Sequence, residues 1–148
     1  MSTDMIRKEI TLRAAPARVW RALSDAQEFA SWFGCTMHDA FAPGATVRGS
    51  VGFKGKQLPL TLQIEQMVPD KLLAFRWHPY AVDPAVDYAT EPTTLVEIAL
   101  APTDGGTLVT VTESGFDQLP IERRAVAFEM NSGGWAIQLD NIARHVHA

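Results

Sequence analysis

Two rhythms of apolar residues run along the chain. Over 120–147 the large apolar side chains are Ile121, Ala125, Phe128, Trp135, Leu139, Ile142 and Val146, spaced in steps of three and four. That spacing places them on one stripe of an α-helix. Ser132 holds the stripe position between Phe128 and Trp135, so the phase passes unbroken through Asn131-Ser132-Gly133-Gly134. The pattern predicts one long helix. Pro120 suits its first turn; Asp117 and Glu122 sit near the positive end of its dipole, and Arg144, His145 and His147 near the negative end. Two adjacent glycines inside a helix each cost about 1 kcal/mol relative to alanine. Either the helix kinks or presses closely on a strand there, or the missing side chains leave a hollow between helix and sheet.

Before that helix the rhythm is the two-residue alternation of strands. Over 6–12, Ile6, Ile10 and Leu12 face one way and Arg7, Glu9 and Thr11 the other. Ala14-Ala15-Pro16 opens a short helix with Val19, Trp20 and Leu23 inside. Ser24-Asp25-Ala26-Gln27 matches a capping box for a second short helix, with Phe29, Trp32 and Phe33 on one face and Gly34 at its end. Strands are predicted over 46–53, 58–67, 72–78, 94–100 and 108–114, the last two joined by the hairpin signal Thr103-Asp104-Gly105-Gly106. Residues 79–93 break the pattern. Pro79, Pro84 and Pro92 forbid regular structure, yet Tyr80, Val82, Val86 and Tyr88 are apolar enough to lie on something. A connection of that length inside a compact domain is often functional. The element order predicts an α+β fold: an antiparallel sheet of about six strands, two short helices after the first strand, and the long C-terminal helix on the buried face.

Composition narrows the classes. With 148 residues, 47% of them hydrophobic, the chain is expected to form one domain whose core needs no metal or disulfide. A net charge of -4 argues against nucleic acid as a partner. The opening MSTDMIRKE has no apolar run of a signal peptide, and nowhere are there 18 consecutive apolar residues to span a membrane. With Cys35 the only cysteine, no disulfide forms within the chain, and a reducing cytoplasm is the expected location.

The candidate chemistry centres on Glu113. Val109, Val111 and Glu113 alternate against Leu108, Thr110, Thr112 and Ser114. If the valines face the helix, so does the carboxyl, which among Phe75, Trp77 and Trp135 would need donors such as Asn131, Ser132 or Gln138. The alternative is a strand-end glutamate paired at the rim with Arg76, Arg123 or Arg124. Trp32, Trp77, Trp135, Tyr80 and Tyr88 could line an aromatic pocket with 79–93 as its lid, whereas Trp20 reads as core. Cys35 and His38 lack a third orienting group, so the thiol reads as inert. His145 and His147 lie about 200° apart around a helix and share no face for one metal. No His-x-x-x-His or Cys-x-x-Cys appears, and glycine-rich 49–55 lacks the Gly-Lys-Ser/Thr ending of a phosphate loop, so no metal or cofactor is expected.

Several runs together carry a family resemblance. They are Pro16-Ala17-Arg18-Val19-Trp20-Arg21-Ala22-Leu23-Ser24 leading to Phe29-Ala30-Ser31-Trp32-Phe33, then Leu72-Leu73-Ala74-Phe75-Arg76-Trp77, Thr94-Leu95-Val96-Glu97, Thr112-Glu113-Ser114-Gly115-Phe116 and Gly133-Gly134-Trp135. In this order and spacing they resemble the START-like (SRPBCC, helix-grip) superfamily, in its branch similar to the activator of the Hsp90 ATPase. The resemblance covers 1–148 as a single domain and implies a curved antiparallel sheet gripping a long C-terminal helix, with a cavity between. Members of the superfamily include lipid and hormone carriers, polyketide cyclases and a co-chaperone, so function rests on the site. The first expectation is a small apolar or aromatic ligand held between sheet residues Phe75, Trp77, Val111 and Glu113 and helix residues Met130, Asn131, Gly134, Trp135 and Gln138, with Trp32 and Tyr88 adding to the lining. The second is a protein-interaction module of the Hsp90 co-chaperone type, and the third a cyclase- or hydrolase-like enzyme using Glu113. A monomer and a homodimer are both compatible with the pattern.

Overall fold

The final helix is unbroken. In the computed structural model, which describes residues 4–147, it runs over Ile121–His147 (α3) straight through the glycine pair. Met1, Ser2 and Thr3, part of the opening stretch considered above, and Ala148 lie outside the described residues. The elements before it are β1 (Met5–Leu12), α1 (Pro16–Ser24), α2 (Ala26–Phe33), β2 (Cys35–Met37), β3 (Thr46–Phe53), β4 (Lys56–Val68), β5 (Leu72–Trp77), β6 (Thr94–Thr103) and β7 (Gly106–Ser114). All strand pairs are antiparallel, in the order β1-β7-β6-β5-β4-β3-β2. This is the α+β architecture that the alternation predicts, a curved open sheet with a long C-terminal helix.

The sheet has seven strands rather than about six. The extra one, β2, is only three residues long, too short to show a period. It pairs with Val51, Ser50 and Gly49 of β3. A Cβ at Gly49 would lie 2.0 Å from the Thr36 carbonyl oxygen, so glycine is what lets the two strands meet.

One register row runs across the inner face of the sheet: Ile6, Glu113, Val96, Phe75 and Ile64. All five are buried, and Glu113 is the one ionisable residue among them. The core spreads from this row to Val109, Val111, Ile98 and Leu73 on the sheet, and to Val19, Leu23 and Phe29 on the short helices. In β4 the register shifts between Ile64 and Gln66, a bulge that bends the strand.

Three local expectations are corrected. Asp25, not Ser24, caps α2: its Oδ1 accepts from Gln27 N and Glu28 N, while Ser24 still belongs to α1. Pro120 lies just before α3, where its carbonyl accepts from Arg123 and Arg124. The apolar stripe of α3 is buried at Trp135, Leu139 and Ile142, but Ile121 and Ala125 are exposed and Ala127 is buried in their place. His145 and His147 also do more than sit near a dipole. His145 Nε2 lies 2.8 Å from Glu28 on α2, and His147 Nε2 accepts from the Arg13 amide at 2.9 Å. The C-terminal end of α3 is thereby tied to the chain entering α1 and to the first turn of α2.

Candidate functional site

Glu113 gathers donors from three elements. Its Oε2 accepts from Thr94 Oγ1 of β6 at 2.6 Å and from Trp77 Nε1 of β5 at 2.8 Å. Its Oε1 accepts from Trp135 Nε1 of α3 at 2.8 Å. Asn131 Nδ2, one helical turn before Trp135, reaches both oxygens at 3.0 and 3.1 Å. Positions i and i+4 share a helix face, which is why one carboxyl can take both α3 donors. Indole nitrogens only donate, so the carboxyl satisfies groups that would otherwise be buried without partners. No arginine joins it; the rim pairing considered for Glu113 is replaced by this inward knot, with Asn131 the one anticipated donor that bonds it. Ser132 makes no contact with it, and Gln138 instead donates to the Phe33 carbonyl at 2.9 Å.

Two hollows with shared walls lie beside the knot. The smaller, about 160 Å³, is walled by Phe33, Trp77, Asn131, Gly134, Trp135 and Gln138. A Cβ at Gly133 or Gly134 would meet nothing within 4 Å, so the glycines neither press on a strand nor accommodate one. The larger hollow, about 650 Å³, shares Phe33, Trp77 and Asn131 with the smaller. It extends beneath 79–93 to the hairpin of β3 and β4, where Val51, Phe53, Leu58 and Leu60 form its floor. Its volume lies within the span of small-molecule sites, roughly 300–1,000 Å³.

The segment over this hollow is strapped to α3 by one side chain. Arg123 donates Nε to Glu91 at 3.0 Å, Nη1 to the Tyr80 carbonyl at 3.0 Å and Nη2 to the Pro79 carbonyl at 3.0 Å. Its guanidinium also lies 4.9 Å from the centroid of the Tyr88 ring. Arg123 and Glu91 are largely buried, with side-chain exposures of 16% and 14%. Tyr80 has φ +49°, a left-handed conformation unusual for a bulky residue, and its ring packs edge-on against Phe53 at 6.0 Å. His78 donates Nε2–H to the Glu91 carbonyl at 3.1 Å. Residues 79–93 are thus an irregular but well-bonded cover.

The residues anticipated from sequence divide between cavity and core. Trp77, Tyr88, Met130, Asn131, Gly134, Trp135 and Gln138 line one hollow or both. Phe75 and Val111 are fully buried in the sheet's core and reach neither wall. Trp32 is buried under α1, its indole N–H bonded to the Ala22 carbonyl at 2.8 Å. Glu113 stands behind the wall, touching the residues that line it. The floor of β3 and β4 went unanticipated. In the structure Val51, Phe53 and Leu60 are half-buried and face the hollow, whereas in the sequence they alternate like any strand.

The remaining candidates are quieter. Burial pushes the Cys35 thiol up to about 11, which leaves little thiolate at neutral pH, and His38 is exposed and turned to strand pairing through its backbone. Among the described residues no three His, Cys, Asp or Glu side chains cluster to hold a metal ion, and no helix is long and apolar enough to cross a membrane.

Comparison with known proteins follows the same architecture. No curated protein matches the sequence. Among solved structures, protein CV1439 of Chromobacterium violaceum superposes with a TM-score of 0.78 at 23% identity, over 99% of this chain and 99% of that one. Protein MLL2253 of Mesorhizobium loti gives 0.75 at 24%, over 97% and 96%. The Aha1 dimer of Colwellia psychrerythraea gives 0.71 at 15%, over 96% and 95%. At such identities the likeness is one of fold. The family model described as Activator of Hsp90 ATPase homolog 1-like protein matches residues 13–147, and the chain belongs to that family.

Proposed function

We propose that this protein binds a small, largely hydrophobic ligand between its sheet and α3. The observation that carries the reading is the hollow of about 650 Å³, walled mainly by aliphatic and aromatic side chains and sharing Phe33, Trp77 and Asn131 with the smaller one. The cover is bonded rather than loose, and the Glu113 knot fixes Trp77 and Asn131 at the wall. A panel of polycyclic aromatics, sterols and long-chain alcohols, read by thermal shift, tests it. A ligand at 100 times its dissociation constant stabilises the fold by about 2.7 kcal/mol. The shift should vanish in Leu60→Trp, which fills the floor. If no compound shifts the parent protein, the reading fails.

A second reading, a protein-interaction module, draws on the family and on the outer line of α3, which shares Met130 with the hollow. Val126, Met130 and Ile137 are exposed apolar residues at spacings that put them on one line of α3, with Gly133 between. The related Aha1 of Colwellia is a dimer. Sedimentation of the parent protein and of Ile137→Lys distinguishes a homodimer on this line from a monomer whose working surface is the cavity.

A further inference from the structure

We propose that the cavity selects for aromatic ligands carrying a cationic amine and rejects carboxylates of the same shape. The inference rests on the ligand-binding reading and goes on to name the class of ligand.

The lining of the larger hollow sets which charge it accepts. Its apolar walls include the rings of Phe33, Phe53, Trp77, Tyr80 and Tyr88. Its fully charged residues are Asp83 and Asp87, both exposed to solvent on the covering segment; no lysine or arginine lines it. Each aspartate uses Oδ1 to accept a loop amide, from Ala85 and Ala89 respectively, which leaves the other oxygen to a ligand. Asn131 turns its amide nitrogen to Glu113, so what it offers elsewhere is the acceptor Oδ1. His78 has its Nε2–H on the Glu91 carbonyl, so its free ring nitrogen in the neutral form is again an acceptor. The hydroxyls of Thr61 and Tyr80 serve either role, whereas the Tyr88 hydroxyl accepts from the Asp83 amide at 3.1 Å and keeps its O–H as the donor on this side.

The cations nearby do not change this balance. Arg123 is bonded to Glu91, Pro79 and Tyr80, and stacks on the Tyr88 ring from outside the hollow. Lys54 lies 5.3 Å from the Phe53 centroid and is likewise absent from the lining. A carboxylate brought into this space would lose part of its hydration, meet mostly acceptors and face two carboxylates, with no lysine or arginine in the lining itself. An ammonium would meet those same acceptors as partners and the ring faces as cation–π surfaces.

Three probes that share one ring system test the inference on the full chain: 1-pyrenemethylamine, 1-pyrenemethanol and 1-pyrenecarboxylate. Trp77 and Trp135 line the hollows, so quenching of tryptophan emission reports binding. At roughly 10 mM ionic strength, where screening is weak, the amine should bind at least about tenfold more tightly than the carboxylate, with the alcohol between. The double substitution Asp83→Asn with Asp87→Asn keeps both loop acceptors and should narrow the gap. Tight binding of the alcohol with equal or tighter binding of the carboxylate overturns the charge selectivity and leaves the binding reading standing. An undiminished gap in the double variant overturns the assignment to the two aspartates. Failure of all three probes, the neutral one included, removes the binding reading and this inference with it.

Discussion

α3 crosses two regions that solve the same packing problem differently. From Trp135 onward its inner residues Trp135, Leu139 and Ile142 are buried against the sheet and the two short helices, and its polar groups lock the seam. Gln138 reaches the Phe33 carbonyl, His145 meets Glu28, and His147 accepts from Arg13. Before Trp135, Asn131 and Met130 look onto a hollow, and contact with 79–93 runs through Arg123. The sheet and the helix are continuous through both. What changes is the side chain offered at the crossing, an indole at Trp135 and no side chain at Gly134 beside it. A large residue closes the groove, whereas a small one leaves space that the surrounding polar bonds must hold open. Glu113 stands at the boundary and bonds to both sides.

Breaking that boundary should have the largest effect. Glu113→Ala strips the acceptor from four donor groups at once, and each buried donor left unpaired costs about 1–3 kcal/mol. The expected loss is about 4 kcal/mol or more, a large part of the 5–15 kcal/mol that holds a typical domain. Glu113→Gln keeps the volume but faces one donor with another, and should lose about 2–4 kcal/mol. Urea denaturation measures both. A Gln variant as stable as the parent would show that the knot closes nothing.

Arg123→Ala acts on the open region alone. It leaves Glu91 largely buried without its cation, a loss of about 2–4 kcal/mol. Hydrogen exchange should rise across 79–93 while amides over 135–146 keep their protection. Equal loss along the whole of α3 would mean the two regions are one cooperative unit and the comparison is wrong.

The closed region has its own ion cluster, and it carries a pH signature. Burial alone would raise the Glu28 carboxyl, but bonds from His145, Arg18 and Arg21 outweigh it and hold it at about 2 against an ordinary 4.5. Because the folded value lies below the unfolded one, its contribution is complete above about pH 4.5 and disappears as the pH falls toward about 2. Glu28→Gln should cost about 1 kcal/mol at pH 7, since the group is partly exposed, and should flatten the loss of stability across that acid window. An unchanged acid profile would place the acid sensitivity elsewhere.

How far each region could be read from sequence follows the same division. The closed region announces itself, because burial imposes a period: Trp135, Leu139 and Ile142 keep the helical spacing, and Val109, Val111 and Glu113 the strand alternation. That alternation allowed an inward Glu113 beside a rim pairing, and it is the register row with Ile6 and Val96 that turns the carboxyl inward. In the open region the period does not tell cavity wall from core. The floor of β3 and β4 alternates like any strand, and only the absence of a covering element marks Val51, Phe53 and Leu60 as cavity wall. The strap is harder still, since it joins Arg123 to backbone carbonyls of Pro79 and Tyr80 that carry no side-chain signature. Phe75 and Val111 fit the rhythm of a wall equally well, and their place in the core depends on the row of neighbours across the sheet.

The smallest expected effect separates the regions most sharply. A Cβ at Gly133 or at Gly134 meets nothing within 4 Å, and neither glycine has a positive φ. Alanine at either position should therefore stabilise the helix by about 0.5–1 kcal/mol, through the backbone entropy that glycine loses on folding. The two differ in where the methyl points. Gly133 is exposed, whereas Gly134 walls the smaller hollow between Trp77 and Trp135. Gly133→Ala should gain stability and leave ligand affinity unchanged. Gly134→Ala should gain the same stability yet weaken any ligand that reaches the smaller hollow, read by parallel urea melts and tryptophan-quenching titrations. Stability gained at both positions with affinity lost at one would identify Gly134 as kept small for the space it leaves. A loss of stability at Gly134 would instead mean that the helix already rests against its neighbours there.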